Sequence, residues 1–340
     1  MQTPGCDYAD FTPHSAGELG VLPVKHLEPV SPRVAAVVVT YNRPTELKMV
    51  VAALHGQSYP PEVIIVFDNG GPLAATDILK DCSEAVIVIR SAENLGGAGG
   101  FAGGLRHALD MGVDWIWLMD DDAVPAPEAL SVLLAALPEL PGRTGALCSA
   151  VSEHGVLALQ HRRRFNRWIG RERPICLTMY GESRVEIDTG SFVGFLVLAQ
   201  AVRDVGLPSA DFFLAYDDTD FSLRLQDAGW RLWLVPGSVI EHLRSKGVRL
   251  RASDFGTKHY FNSRNRIFVK RRYAKLSCIA ALGGIGVACL LWLLARGLQR
   301  PASLRVLMRA VTDGVYCRLG PFPADLAESQ KGRWPSRISA

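Results

Sequence analysis

Four short apolar runs in the first half of the chain constrain its fold more than any other feature. They cover residues 34–39, 63–67, 85–89 and 115–119. Each run is shorter than a typical helix and lacks helical spacing, whereas the segments between them, such as 44–55 and 73–80, have helical character. Strands that alternate with helices are typical of a parallel sheet covered on both faces. The sequence therefore predicts an α/β fold with a mostly parallel sheet flanked by helices.

Length and composition narrow the class of protein. At 340 residues the chain is long enough for one large α/β domain or two ordinary ones, and its net charge of +3 is too small to favour a nucleic-acid partner. Seven cysteines without a CxxC pair favour neither a disulfide framework nor a zinc site, so a reducing cytoplasm fits best. We predict an appended segment at 1–32 without a visible secretory signal, an α/β domain at 33–270 and a helical region at 271–340.

Three consecutive carboxylates follow the fourth apolar run. Asp120, Asp121 and Asp122 come directly after residues 115–119, so their mutual repulsion must be relieved by water or by a cation. Carboxylate oxygens suit Mg²⁺ or Mn²⁺, and ligands of open α/β sheets bind beyond the carboxyl ends of the strands. Taken alone, this triplet predicts a metal–nucleotide site and a solvated acidic loop equally well.

A second acidic group comes later in the chain. Asp217, Asp218 and Asp220 begin a predicted helix, where acids commonly cap backbone amides and complement the helix dipole. Capping explains one or two of them, but not three in four positions, and one of them would serve as a base if it lay near a metal-bound substrate. His242 follows a predicted strand at 233–235 and is by itself more typical of a structural histidine, although its ring could complete a metal site begun by the aspartates.

The glycine-rich segment 94–104 favours a competing function. Residues 97–102 match the dinucleotide fingerprint G-x-G-x-x-A, with Asp120 near the position of a ribose-binding acid, so an NAD-dependent oxidoreductase stays open. Against it, a polar loop separates the strand at 85–89 from Gly97, and dinucleotide binding needs one carboxylate rather than three. A simpler alternative is that the glycines allow a helix to pack close to the sheet or to a ligand.

Two further segments are expected to form binding surfaces rather than parts of a catalytic site. Residues 160–174 are basic with interspersed aromatic residues and could bind an anionic acceptor or a lipid headgroup, but a solvated loop is the more frequent explanation. Residues 276–295 carry no charge and have basic residues on both sides, which favours a helix lying in the inner leaflet over one that crosses the membrane. A buried helix and a helix that packs on another subunit stay open.

An ordered set of motifs resembles one enzyme family. The motifs are VVVTYNRP (37–44), FDNGG (67–71), NLGGAGGFAGG (94–104), WLMDDDA (117–123), AYDDTDFSLR (215–224) and Pro236-Gly237 followed by His242. Together they resemble family 2 glycosyltransferases with the GT-A (Rossmann-like) fold, most closely the bacterial galactofuranosyltransferases of cell-wall galactan assembly. The resemblance covers residues 34–269 and departs at 152–190, where acceptor contacts are expected.

The resemblance implies a role for each site residue. The implied roles are metal ligation by Asp120, Asp122 and His242, nucleotide binding by Thr40, Asp68, Asn94 and Asp121, and base catalysis by Asp218. The implied cofactor is Mn²⁺ or Mg²⁺, and the implied donor is a UDP-sugar.

The expected function is a metal-dependent, inverting transfer of galactofuranose from UDP-galactofuranose onto a lipid-linked or polysaccharide glycan in cell-envelope synthesis. The expected location is the cytoplasm, peripheral on the inner face of the cell membrane, and a homo-oligomer is compatible with the sequence. A rhamnosyltransferase that uses dTDP-rhamnose shares most of the layout and is the nearest alternative. A catalytically inactive membrane module is a third, which the intact acidic motifs disfavour.

Overall fold

Strands and helices alternate along the first half of the chain, as predicted. The computed structural model describes residues 31–82, 86–243, 255–300 and 302–326. Within them the chain forms thirteen strands and nine helices, besides short 3₁₀ turns and helical residues at 324–326. The strands are β1 Val34–Thr40, β2 Val63–Asp68, β3 Val86–Arg90, β4 Trp115–Asp120, β5 Ala123–Pro125, β6 Thr144–Glu153, β7 Val156–Leu157, β8 Arg162–Asn166, β9 Arg171–Pro174, β10 Val185–Ile187, β11 Thr189–Gly190, β12 Phe195–Leu198 and β13 Arg231–His242. The helices are α1 Pro44–His55, α2 Ala75–Ile78, α3 Gly96–Asp110, α4 Ala129–Ala136, α5 Ala199–Val205, α6 Asp217–Asp227, α7 Thr257–Tyr273, α8 Ser277–Leu294 and α9 Ala302–Val315. The predicted segment at 1–32 lies almost wholly outside the described residues.

One large sheet organises the protein. Its strand order is β10-β13-β6-β12-β4-β1-β2-β3. Among these described strands, only β12 and β10 are antiparallel to the others. The short strand β5 pairs with β13, β7 pairs with β6, and β11, β8 and β9 form a separate small sheet. The predicted fold class, a mostly parallel sheet flanked by helices, is confirmed.

Alternate residues of each central strand belong to two different hydrophobic cores. On β1, Val37 and Val39 pack in the core that includes α3, α5 and α6, whereas Ala36 and Val38 pack in the core that includes α1, α2 and α4. Successive side chains of a strand point to opposite faces of the sheet. A run that is apolar at every position therefore requires cover on both faces, which these two helical layers provide.

The glycine-rich segment forms most of helix α3 rather than a loop. A Cβ atom at Gly100 or Gly104 would overlap the side chain of Val39 or Val37 on β1, so these glycines let the helix lie directly against the sheet. This confirms the simpler alternative for the segment. The turn that a dinucleotide fingerprint needs at the end of a strand is not formed here, because a polar loop separates β3 from α3. The fingerprint therefore no longer supports an oxidoreductase.

Two predicted elements are shorter in the structure. The helix predicted at 73–80 is reduced to α2, because the buried carboxylate of Asp68 accepts the backbone N–H of Ala75 and starts the helix there. The strand predicted at 192–198 begins only at Phe195, because Gly194 has a φ of +70° that bends the chain before β12. Both differences come from single contacts or dihedrals that hydrophobic patterns do not encode.

The strand predicted at 233–235 is longer in the structure. It extends in both directions into β13 and continues past Pro236, although its register with β6 shifts between Val235 and Val239. Proline lacks a backbone N–H, so this irregularity is expected where a strand passes through one. The extension matters because it carries the chain to His242.

The solvated loop predicted at 160–174 is wrong. This segment contains the antiparallel hairpin of β8 and β9. Arg162 is fully buried and donates hydrogen bonds to the carbonyl oxygens of Ser149 at 2.8 Å and Ser191 at 3.0 Å. A guanidinium group can be buried only when its donors are satisfied, and backbone carbonyls of the neighbouring segments supply the acceptors here.

Three longer helices lie in the last part of the described chain. Helix α7 packs against α8 and α9. Helix α8 is the one described helix that is long and apolar enough to cross a membrane, and only 22% of it is buried in the chain. The alternative of a plain buried helix at 276–295 is therefore wrong for this chain.

Candidate active site

Three predicted site residues lie at the carboxyl ends of neighbouring strands. In the pairing of β1 with β2, Thr40 lies opposite Asp68, and in the pairing of β1 with β4, Val39 lies opposite Asp120. Parallel strands bring their carboxyl ends to the same edge of a sheet, which is where open α/β sheets bind ligands. Thr40, Asp68 and Asp120 are therefore brought to one edge.

His242 reaches this edge through a second strand pairing. The end of β13 runs antiparallel to β5, so that His242 lies opposite Ala123 and the N–H of Leu243 donates to the carbonyl oxygen of Asp122 at 2.8 Å. As a result, His242 Nε2 lies 3.1 Å from Asp122 Oδ1. One potential ligand atom from each of Asp120, Asp122 and His242 lies within 4.8 Å of the others.

Burial and neighbouring charges perturb the ionisation of these three side chains. Burial and the charge of Asp122 raise the pKa of Asp120 to about 6. Burial also opposes ionisation of Asp122, but the hydrogen bond and charge of His242, together with Arg43, outweigh it and lower the pKa of Asp122. For His242 burial favours the neutral ring, yet Asp122 and Asp120 outweigh it and raise the pKa. Carboxylates held in such a site gain stability when a cation binds.

The donor atoms fit a divalent cation. Two carboxylates and an imidazole are oxygen and nitrogen ligands of the kind that Mn²⁺ accepts, and carboxylates also suit Mg²⁺. Among the described residues no donor hydrogen-bonds to the Asp120 side chain. The Nδ1 atom of His242 is buried without a hydrogen bond from the described chain, with Glu153 Oε1 at 3.4 Å. A cation on Nε2 would place the ring proton on Nδ1, facing this carboxylate.

Two residues of this group were not predicted from the sequence. Glu153 Oε1 lies 3.4 Å from His242 Nδ1 and 3.4 Å from His161 Nε2, and a carboxylate in this position orients a metal-binding histidine. Arg43 NH1 contacts Asp122 Oδ2. Arg43 belongs to the motif at 37–44 and could have been noticed there, whereas Glu153 reaches the site only through the pairing of β6 with β13.

Asp121 joins the loops that follow β1 and β4. Its Oδ2 atom accepts hydrogen bonds from Thr40 Oγ1 at 2.8 Å and from the backbone N–H of Tyr41 at 3.2 Å. Burial raises the pKa of Asp121 to about 7, against the opposing charge of Arg43 and the hydrogen bond from Thr40. The buried Thr40–Asp121 pair therefore holds two strand ends together beside the Asp120, Asp122 and His242 group.

Asp68 and Asn94 hydrogen-bond to the loops in which they lie. Asp68 is 1% exposed and accepts hydrogen bonds from the N–H groups of Gly70 at 3.0 Å and Ala75 at 2.9 Å and from Arg90 NH1 at 2.5 Å. Asn94 is half-buried and accepts the N–H of Gly96 at 2.8 Å. Both side chains thus shape the loops after β2 and β3, and their contacts with a nucleotide stay predictions.

The members of the second acidic group differ in their surroundings. Asp220 is buried and accepts hydrogen bonds from Tyr273 Oη at 2.7 Å and Arg224 Nε at 2.9 Å, which explains it structurally. Asp218 is half-buried, and its side chain accepts the N–H of Thr219 at 2.6 Å. Burial raises the pKa of Asp218, and the nearby guanidinium of Arg163 opposes this shift.

The two acidic groups lie close enough to interact. After burial and Asp122, the charge on Asp218 also contributes to the raised pKa of Asp120. Burial and the charge of Asp218 raise the pKa of Asp217 well above its usual value, and Asp120 adds to this effect. The start of α6 and the end of β4, which are far apart in the sequence, therefore border the same site.

The loop that leads into α6 has an unusual backbone. Phe213, Ala215 and Tyr216 have φ angles of 61°, 64° and 68°. A left-handed conformation costs a non-glycine residue on the order of 1–3 kcal/mol, and it persists only where surrounding contacts hold it. Such strain clusters at functional sites, and here it directly precedes Asp217 and Asp218.

A mostly parallel sheet whose strand ends bring acidic residues against a histidine is the arrangement of the GT-A glycosyltransferases. Residues 32–276 of this chain match the protein-family model described as "Glycosyltransferase like family 2". The chain therefore belongs to that family, and it is a glycosyltransferase.

Individual relatives agree with this family. The chain is 32% identical to galactofuranosyltransferase GlfT1 of Mycolicibacterium smegmatis over 247 residues, which span 68% of this chain and 81% of that protein. It is also similar to the structure of GalNAc-T7 with UDP, GalNAc and Mn²⁺, with a TM-score of 0.52, 14% identity, and 74% of this chain and 54% of that chain covered. The mannosyltransferase PcManGT from Pyrobaculum calidifontis, in complex with GDP-Man and Mn²⁺, gives a TM-score of 0.51 at 15% identity, with 84% of this chain and 88% of that chain covered. The two structural likenesses confirm the fold.

Proposed function

We propose that this glycosyltransferase is metal-dependent and inverting, and that it moves galactofuranose from UDP-galactofuranose onto a lipid-linked or polysaccharide glycan in cell-envelope synthesis. The observation that carries the proposal is the convergence of Asp120, Asp122 and His242 within 4.8 Å, at electrostatic range of Asp218. The identity with a galactofuranosyltransferase supports the donor. The UDP, GDP-Man and Mn²⁺ bound by two proteins of the same fold support a nucleotide-sugar and a cation.

In this mechanism the residues at the strand ends hold the donor. Asp120, Asp122 and His242 would hold Mn²⁺ or Mg²⁺, with the ring proton of His242 on Nδ1, facing Glu153, and Nε2 free for the cation. When bound, the cation supplies the positive charge that stabilises the departing diphosphate, so no separate acid is needed. The residues that form the nucleotide pocket are Thr40, Asp68, Asn94 and Asp121.

Asp218 acts as the catalytic base. Its carboxylate accepts the proton of an acceptor hydroxyl as that oxygen attacks the anomeric carbon on the face opposite UDP. The bond between the anomeric carbon and the diphosphate oxygen breaks as the new glycosidic bond forms, so the configuration inverts. Burial raises the pKa of Asp218, and a base whose pKa lies nearer the working pH transfers protons more effectively.

A comparison of three donors tests the proposal. With Mn²⁺ and a glycan acceptor present, we expect the protein to release nucleoside diphosphate faster from UDP-galactofuranose than from UDP-galactopyranose or dTDP-rhamnose. A preference for dTDP-rhamnose would establish the rhamnosyltransferase alternative. Failure to use any of the three donors would contradict the proposed donor specificity.

We further propose that the enzyme is cytoplasmic and that α8 lies in the inner leaflet of the cell membrane. One apolar stripe of exposed residues runs along this helix. Successive members of the stripe are three or eight positions apart, which places them on the same helix face: Ile279, Leu282, Leu290 and Leu293. The exposed Trp168 lies beside the start of α8, with Lys275 Nζ 4.5 Å from its ring centroid. An apolar stripe bordered by tryptophan and lysine is typical of helices at a membrane surface.

The domain boundaries at 32 and 270 and a homo-oligomer stay predictions.

Binding to lipid vesicles tests the membrane proposal. We expect Leu282→Asp to weaken binding to vesicles that contain anionic phospholipid by at least about tenfold, because burying one leucine contributes roughly 1.5–3 kcal/mol. The matched control is Val156→Asp, which changes an equally exposed apolar residue on β7 and should leave binding unchanged. Equal binding of the Leu282→Asp and unsubstituted proteins, or no binding by either, would contradict the proposed orientation.

A further inference from the structure

A buried amide of helix α7 contacts the strained loop at 213–216 and the residue before it. Asn265 Nδ2 lies 3.0 Å from the carbonyl oxygen of Phe212, 2.9 Å from that of Leu214 and 2.9 Å from that of Ala215. Asn265 is fully buried, so water does not replace its amide as the donor to these carbonyl groups. An unpaired carbonyl at such a position is costly, and the three contacts together favour one conformation of the loop.

Arg264 determines the orientation of this amide. Its Nε atom donates to Asn265 Oδ1 at 2.8 Å, and since a guanidinium can only donate, the amide N–H groups must point to the loop. The NH2 atom of Arg264 donates to the carbonyl oxygens of Asp211 at 3.1 Å and Phe212 at 3.0 Å, and NH1 donates to that of Gly320 at 2.6 Å. Arg264 is 1% exposed, and no carboxylate among the described residues hydrogen-bonds to it. Its charge is thus buried against neutral acceptors, of which the carbonyl groups of Asp211 and Phe212 directly precede the loop.

The loop conformation sets the direction of the residues that follow it. Tyr216, with a φ of 68°, is the residue immediately before α6, so its backbone determines how Asp217 and Asp218 leave the loop. The other end of the loop lies against the start of α3, where the N–H of Ala98 donates to the carbonyl oxygen of Phe213 at 3.2 Å. Arg264 and Asn265 form no hydrogen bond or ion pair with Asp120, Asp122 or His242 in the described chain.

We propose that Asn265, oriented by Arg264, is a positioning residue that holds the loop at 213–216 in its left-handed conformation and thereby aims Asp218 at the acceptor hydroxyl. Helix α7 is then part of the acceptor side of the active site, although none of its residues was predicted from the sequence to belong to the site. This inference rests on the proposed function, because it depends on Asp218 acting as the base.

Loss and rescue of activity test this inference. Asn265→Ala removes the three contacts, and we expect kcat for transfer from UDP-galactofuranose to fall at least about tenfold while the Kd values for UDP and Mn²⁺ stay within about threefold of the unsubstituted protein. Adding Ala215→Gly should restore much of kcat, because glycine adopts a positive φ without strain and needs less support. A merely structural role of Asn265 would lower stability without any rescue of kcat from the loop.

Two more variants keep the test decisive. Ser263→Ala is the matched control, because Ser263 is buried on the same helix and its Oγ has no hydrogen-bond partner among the described residues, so kcat should not change. If Asn265→Ala does not fold, Ala215→Val tests the loop directly, since a β-branched residue resists a positive φ, and we expect a similar loss of kcat with UDP binding retained.

The outcomes separate this inference from the proposed function. The positioning role would be overturned by normal kcat in a folded Asn265→Ala or Ala215→Val protein. It would also be overturned if Ala215→Gly did not relieve the loss of kcat in Asn265→Ala. In both cases Asp218→Asn would still be inactive, so the proposed function would stand. An active Asp218→Asn protein, or an unsubstituted protein that transfers no sugar, would instead contradict the proposed function itself.

Discussion

Replacing Asp218 with asparagine is expected to abolish sugar transfer in a protein that still folds and still binds UDP with Mn²⁺. Asparagine has nearly the same shape but cannot accept the proton of the acceptor hydroxyl, and a positioned base typically contributes roughly 10²–10⁴-fold to the rate. Burial raises the pKa of Asp218, which means that the fold disfavours its ionised form. Removing the charge should therefore leave thermal stability unchanged or slightly higher. The measurements are kcat from nucleotide release, UDP affinity by calorimetry and the melting temperature.

The matched control for this variant lies on the same helix. Asp227 ends α6, its side chain is 54% exposed, and it forms an ion pair with Arg167 at 2.9 Å. Exposed ion pairs contribute little to stability, so Asp227→Asn should change neither kcat nor the melting temperature appreciably. Substantial transfer by Asp218→Asn would remove this residue from its role as base.

Replacing His242 with alanine should weaken Mn²⁺ binding more strongly than it weakens the fold. The imidazole Nε2 lies 3.1 Å from Asp122 Oδ1, and its removal leaves a cation with two carboxylate ligands from this group. Loss of an outer-shell partner of a metal-binding histidine typically costs about 10–100-fold in metal affinity or activity, so loss of the histidine itself should exceed that range. Titration of Mn²⁺ in the presence of UDP, followed by electron paramagnetic resonance, measures this affinity.

A distant histidine serves as the control for the metal site. His107 is exposed on α3, and its Nδ1 atom lies 2.9 Å from the carbonyl oxygen of Gly103 in the same helix. His107→Ala should bind Mn²⁺ as the unsubstituted protein does. If His242→Ala kept full Mn²⁺ affinity and full metal-dependent activity, the cation would have to bind elsewhere.

The strands of the central sheet were predictable because their sequence pattern is strong and local. The runs at 34–39 and 115–119 are apolar at every position, which requires helices on both faces of the sheet and brings Asp120 to its carboxyl edge. The hairpin of β8 and β9 was not predictable in the same way. A charged side chain such as that of Arg162 is rarely buried in a core. Its burial is favourable here only because backbone carbonyls of distant segments accept its hydrogen bonds.

The residues of the candidate site were predicted from motifs, whereas the contacts that hold them in place were not. Asp120, Asp122 and His242 stand in recognisable motifs, but His242 meets Asp122 only because a three-residue strand, β5, pairs with the end of β13. Such a short strand has no periodicity to detect. Glu153 and Asn265 were missed for the same reason: their roles depend on contacts across the fold, since Glu153 lies behind His242 and Asn265 contacts a loop about fifty positions earlier in the chain.

The most direct test of the central claim is the position of Mn²⁺ in crystals of the protein with UDP, located by anomalous scattering at the manganese edge. We predict one strong peak coordinated by Asp120, Asp122 and His242 and by diphosphate oxygens, with the Asp218 carboxylate facing the space where the sugar is carried. A peak bound by other residues, or Asp218 turned away from that space, would contradict the proposed mechanism.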